Sequence, residues 1–275
     1  MFYIFRFVLL LGAAVTSLFA SHSKREWQQN PSNSSVRIVP VASTFQPSNA
    51  QLIVAYPQQG QLQDKSPLLL NFRVRGFAVG CNSAFPRSEE ILDHPDGQTV
   101  NIIIDNEHYY PYSGTSINAL DDNGDFYERT YQFSLPYHLK PGVHLIRMYL
   151  ARSYGESLKS ADCFFMTYFH VGQKQDAIQI NQPILSYNEP SPRYSYEEKM
   201  PILLDFLVHN CQLSKDGWRV IVQVDNKQVA ELDQLGPYYI YGLKKGRHKV
   251  TLELKNAHNK HSLPYANCGA MILVR

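Results

Sequence analysis

The chain has 275 residues, of which 44% are hydrophobic and 18% charged, and its formal net charge is +2. This is the composition of a folded chain with room for two domains of ordinary size, and it excludes a disordered polypeptide. So small a positive balance also argues against a nucleic-acid binder, which needs a concentrated basic surface to neutralise phosphates.

The first residues read as an export signal. Arg6 supplies a small positive region, and an apolar run follows from Phe7 to about Phe19. Cleavage after Ala20 fits the pattern, although Leu18 at the −3 position is larger than usual. The alternative is a retained anchor, because the run is near the lower limit for a membrane span. Residues 1–20 are therefore expected to be a signal peptide. The protein is expected to be exported to the periplasm, the envelope or the outside of the cell, with membrane contact only if this segment is retained. Residues 21–49 are polar and rich in Ser, Asn, Gln and Pro, which predicts a flexible lead-in. They include the glycosylation sequon Asn33-Ser34-Ser35, relevant only in a eukaryotic secretory pathway.

From there the chain says one thing twice. KSPLLLNFRV (Lys65 to Val74) returns as KMPILLDFLV (Lys199 to Val208), and VNIIIDN (Val100 to Asn106) as VIVQVDN (Val220 to Asn226). LKPGVHLIRMYL (Leu139 to Leu150) returns as LKKGRHKVTLEL (Leu243 to Leu254), and DCFFMTYFHV (Asp162 to Val171) as NCGAMILV (Asn267 to Val274). Blocks recurring in one order predict a duplicated domain. The first copy is expected over residues 50–172, a linker over 173–182 and the second copy over 183–275. The short polar linker makes interdomain motion the default expectation.

Within each copy the apolar period is two. Leu204, Phe206 and Val208 face one way and Asp205 the other; His248, Val250, Leu252 and Leu254 alternate with Lys249, Thr251 and Glu253. That is the pattern of half-buried antiparallel strands, about seven per copy, and no segment has the period of a long amphipathic helix. The predicted fold class is all-β, as two tandem antiparallel β-sandwiches. The turn ending in Gly142-Val143-His144, repeated as Gly246-Arg247-His248, resembles the Gly-x-Tyr turn before the penultimate strand of bacterial immunoglobulin-like and fibronectin type III-like modules. The stretch Ala151 to Val171, with its Glu156-Ser157-Leu158-Lys159 loop, is similar to that of uncharacterised exported domains. The resemblance implies the fold and no particular function.

Export makes the four cysteines interpretable, two in each copy: Cys81 and Cys163, Cys211 and Cys268. Symmetry between the copies selects the disulfides Cys81–Cys163 and Cys211–Cys268 from three possible pairings. Four free, buried thiols are the alternative. The lack of a Cys-x-x-Cys motif or a close Cys/His pair argues against zinc.

Several side chains are candidates for binding or chemistry. His144 and His248 are expected to pin turns rather than to bind a ligand. Asp121, Asn123 and Asp125 have the alternate spacing of a calcium loop, but Asn123-Gly124 is also a hairpin turn and the bidentate Glu of an EF-hand is missing. Arg152, Glu156 and Lys159 could form a polar site on a loop at the sandwich end. Glu89, Glu90, Asp93 and Asp96 lie in an insert of the first copy and could flank a glycosidic bond only at the right separation. The tyrosine clusters Tyr109, Tyr110, Tyr112 and Tyr238, Tyr239, Tyr241 are the best candidates for stacking on sugar rings or anchoring a protein. Lys244, Lys245, Arg247 and Lys249 are expected to guard a strand edge. No nucleophile elbow, P-loop or HExxH motif occurs. The expectation is an exported, non-enzymatic binding or structural module without a cofactor, whose partner is an unknown protein or glycan. A carbohydrate-binding accessory protein and a glycan-active enzyme with its site in the first-copy inserts are the alternatives.

Overall fold

A computed structural model describes residues 36–64, 67–115, 128–256 and 263–275. The expected signal peptide, the lead-in up to residue 35, and the candidate calcium loop or hairpin turn of Asp121, Asn123 and Asp125 lie outside the described residues. Strand β1 is Arg37–Pro40, β2 Gln51–Tyr56, β3 Gln61–Gln63, β4 Leu69–Arg75, β5 Thr99–Ile104, β6 Tyr110–Tyr112, β7 Glu128–Ser134, β8 Gly142–Ala151 and β9 Phe164–Val171. The second set is β10 Ile184–Glu189, β11 Ser195–Tyr196, β12 Ile202–His209, β13 Trp218–Val224, β14 Lys227–Leu232, β15 Tyr238–Tyr241, β16 Gly246–Asn256 and β17 Asn267–Val274.

The duplication in sequence is a duplication of topology. The first copy forms the sheets β2-β4-β7 and β3-β9-β8-β5-β6; the second forms β10-β12-β15 and β11-β17-β16-β13-β14. In each copy the second strand lies parallel to the last: β3 with β9, β11 with β17. A bulge interrupts the opening strand at the same place, Val54/Tyr56 and Tyr187/Glu189. Each copy is an immunoglobulin-like antiparallel β-sandwich. Leu52, Phe72, Ile102, Met148 and Phe169 meet in the first core, and Leu185, Phe206, Val222, Leu252 and Ile272 in the second.

Alternation gives each strand a core face and an outer face, but four strands are buried on both. Every residue of β5 and β10 is buried, and so are nearly all of β8 and β12. The outer face of the β8-β5 sheet packs on the outer face of the β10-β12-β15 sheet. Asp205 does point away from its own core, as its register requires, yet it is 0% exposed because the first sandwich covers it.

Three expectations are corrected. Residues 37–40, expected as part of a flexible lead-in, form β1, antiparallel to β15 with Arg37 opposite Tyr241 and Pro40 opposite Tyr238. Ile38 is buried in the second core, and β1 covers backbone groups that an edge strand would leave open. All four cysteines are free. The chain runs on past the end of β4 at Arg75 and carries Cys81 to an exposed turn, whereas Cys163 is buried in the first core with its thiol donating to Ala50 O at 3.3 Å. Burial pushes the Cys163 and Cys211 thiols up to about 11 and Cys268 to about 12, so they are poor nucleophiles. Finally, β16 lies between β17 and β13, so Arg247 and Lys249 guard no edge.

Candidate functional site

The repeated His is joined to the repeated Asp. Asp105 and Asp225 take left-handed backbone conformations (φ 54° and 51°) at the ends of β5 and β13. Each carboxylate accepts a backbone N–H from the neighbouring strand, Leu145 or Lys249, at 2.9 Å. Its other oxygen lies 2.8 Å from Nδ1 of His144 or His248, and the His Nε2 lies 2.8 Å from the carbonyl of Lys140 or Lys244. Both ring nitrogens thus face acceptors, and only the imidazolium satisfies both. The Asp105 hydrogen bond raises the His144 pKa against burial; for His248 burial lowers it, but the Asp225 bond prevails. These are turn pins, two copies of one device.

The densest polar cluster lies in the seam between the sandwiches. Asp205 of β12 accepts from the Asn188 side chain at 2.7 Å and from the Ser157 hydroxyl, and pairs with Lys159 Nζ at 2.7 Å. Asn188 Oδ1 in turn accepts from Asn101 Nδ2 at 2.9 Å and Tyr149 OH at 3.0 Å. Lys159 also donates to Ser157 Oγ at 2.6 Å and Phe206 O at 2.7 Å. Its three protons are therefore spent on three acceptors, and the Ser157–Lys159 pair has no free base to activate the hydroxyl. Ser186 and His209, 3.1 Å apart, make a Ser–His contact, but Ser186 is 0% exposed and out of reach of a substrate.

Two further polar clusters lie beside the first, on either side of the 152–157 loop. Glu156 accepts from Thr44 N at 2.9 Å and Thr44 Oγ1 at 2.6 Å, and pairs with Arg87. Arg87 also donates to Ala42 O and lies over Tyr239 at 5.7 Å. Arg152 donates to Gln98 Oε1 at 3.0 Å and Phe45 O at 2.8 Å and stacks over Phe85 at 4.6 Å. Gln46 accepts from the Lys159 N–H at 2.8 Å. Residues 41–46 are thereby strapped across both sandwiches. At the other cluster, Glu189 is 1% exposed and accepts from Tyr109 OH at 2.6 Å, Tyr196 OH at 3.0 Å and Ser191 N at 2.7 Å. Burial pushes this carboxyl up to about 8, although those hydrogen bonds work against it. Burial also brings His94, stacked on Tyr194 at 4.0 Å, down to about 3.

The structure thus brings Arg152, Glu156 and Lys159 together, but as clamps on the strap and on β12. The tyrosines are dispersed. Tyr109 is buried on Glu189; Tyr112 packs edge-on to Phe72 at 5.5 Å; Tyr110 stacks on Phe133 at 5.2 Å. Tyr238 lies in the second core, Tyr239 donates to Glu90 at 2.9 Å, and Tyr241 packs beside Arg37 at 5.7 Å. They form no flat exposed row. In the first-copy insert, Glu90 and Asp96 accept from Tyr239 and Tyr194 of the second sandwich, the latter at 2.9 Å. A surface hollow of about 310 Å³, lined by residues such as Ile178, Gln182, Ile184 and Tyr265, presents no carboxylate, imidazole or thiol.

Sequence reasoning missed Asn101, Asn188, Glu189 and Asp205, and also the buried Arg147 of β8, which donates across the seam to Leu185 O at 2.9 Å and Ser186 Oγ at 3.2 Å. For Asp205 the one signal was a polar residue at an outward position flanked by the apolar outward neighbours Leu203 and Leu207.

No protein-family model and no curated protein matches the chain. Among solved structures, fibronectin(III)-like modules of Clostridium thermocellum CbhA match at 10% identity and a TM-score of 0.25, over 81% of this chain and 92% of that one. A Bacteroides ovatus protein of a mixed-linkage glucan utilization locus, SGBP-B, in complex with a mixed-linkage heptasaccharide, matches at 13% identity and a TM-score of 0.21, over 82% of this chain and 47% of that one. At such TM-scores the overlap assigns neither a ligand nor an activity. Among the described residues, no helix is long and apolar enough to cross a membrane.

Proposed function

We propose that the protein is an exported, non-enzymatic tandem β-sandwich that acts as one stiff binding or spacing unit at the cell envelope or outside the cell. The observation that carries this reading is the seam. Its acids, amides and cations are hydrogen-bonded to one another across the two sandwiches, which suits holding an orientation better than turning over a substrate. Glu90 and Asp96 of the first-copy insert and the Glu156–Lys159 loop are used in the same clamp. The signal peptide expected over residues 1–20 would place it outside the cytoplasm.

The test is a parallel screen of the protein without residues 1–20. Binding to an envelope protein or a glycan, with no hydrolysis of glycan substrates, is the expected result. Hydrolysis abolished by Glu89→Gln, Glu90→Gln or Asp93→Asn would overturn the reading in favour of an enzyme.

A further inference from the structure

The two copies treat the same face in opposite ways. In the first, the outward side of β8 is buried in the seam, and Leu145 there is 0% exposed. In the second, the corresponding side of β16 is open, and Lys249 takes the place of Leu145. Arg247 replaces Val143 and Lys245 replaces Pro141. Lys244, Lys245, Arg247 and Lys249 are all exposed, with Lys244 at 78%. Lys244 has Glu198 at 3.6 Å; Lys245, Arg247 and Lys249 have no carboxylate partner among the described residues. Some cations on outer faces elsewhere are paired, as in Arg219–Glu231 at 2.9 Å and Lys255–Glu253 at 2.9 Å.

Edge protection does not explain these cations, because β16 is an interior strand. Apolar groups stand beside them. Met271, 51% exposed, is directly opposite Lys249 on β17, and the half-buried Leu273 is opposite Arg247. We propose that this end of the second sandwich docks onto an anionic lipid surface. The cations would sit over the headgroups and Met271 would enter the interface. A basic cluster gains by approaching a negative membrane surface, and an exposed apolar side chain gains by leaving water there. Met271 and Leu273 favour a lipid surface over an acidic polymer, which would match charge alone. This docking face is independent of the stiff-spacer reading, since it uses no seam residue.

Co-sedimentation tests it with vesicles of phosphatidylglycerol and phosphatidylcholine in equal parts, against phosphatidylcholine alone. The protein is expected to sediment with the anionic vesicles only, and to be released at about 0.5 M salt, where screening is nearly complete. The variant Lys245→Gln/Arg247→Gln/Lys249→Gln should bind roughly a hundredfold more weakly, about fivefold per cation. Met271→Ser should weaken binding without changing its salt dependence. Both variants change exposed side chains, and an unchanged unfolding midpoint verifies their fold. Equal binding to both vesicle types, or full binding by the triple variant, overturns the proposal. So does retention on dextran sulfate without vesicle binding, which would assign the patch to an acidic polymer.

Discussion

At His144 and His248 a single proton decides whether a turn is pinned. Each ring lies between a carboxylate and a carbonyl, and losing one proton leaves one of these contacts without a donor. A histidine whose pKa rises on folding stabilises fully below its unfolded value near 6.5, and loses that contribution as pH rises through the folded value. Glu189, raised to about 8, has the same sign: its neutral form is favoured by folding, so stability falls as pH rises from the ordinary carboxyl range to about 8. His94 and His209, both lowered to about 3, oppose this on the acid side, because the unfolded chain takes up their protons as pH falls below about 6.5. Urea unfolding should show that His144→Gln/His248→Gln removes part of the decline above pH 6.5. A variant whose alkaline decline matches that of the original protein would contradict the pins. In NMR spectra, the His94 and His209 rings should stay neutral down to about pH 4; titration of either near 6.5 would contradict its burial.

At the scale of elements, the seam is where the two copies have diverged. Asp205 of β12 corresponds to Asn71 of β4, Leu207 to Arg73, Tyr149 of β8 to Glu253 of β16, and Asn101 of β5 to Ile221 of β13. The shared residues build each core and each His–Asp pin; the divergent ones join the copies. Asp205→Ala leaves the Lys159 ammonium buried without its counter-charge, and should cost about 3–5 kcal/mol in urea unfolding. Asp205→Leu/Lys159→Met should recover more than half of that, since the loss is chiefly the unpaired charge. If the double variant is no better than Asp205→Ala, the pair is not the main contributor. Sequence periodicity made the strands and their core faces legible, because period two reads directly as a two-faced strand. It could not show what covers an outer face. Asp205 therefore read as a solvent residue, and Arg152, Glu156 and Lys159 read as a binding loop. Residues 37–40 were illegible for a related reason: four residues are too few to show a period, and their partner β15 lies about two hundred residues away.

For the whole molecule, the consequence is four layers of sheet held by one strap and one polar seam. Two sandwiches on a short polar linker would ordinarily move relative to one another. Here β1 belongs to the second sandwich, while Thr44 and Gln46, a few residues later, are bound to the Glu156–Lys159 loop of the first. Removing residues 1–46 should speed hydrogen exchange at the β15 amides facing β1, with little change in β5 or β8. Unchanged exchange in β15 would show that the strap holds nothing. The most direct test of the account is residual dipolar coupling measured separately for backbone amides of the two sandwiches. One alignment tensor for both is the predicted result, and two tensors of different magnitude or direction would contradict it.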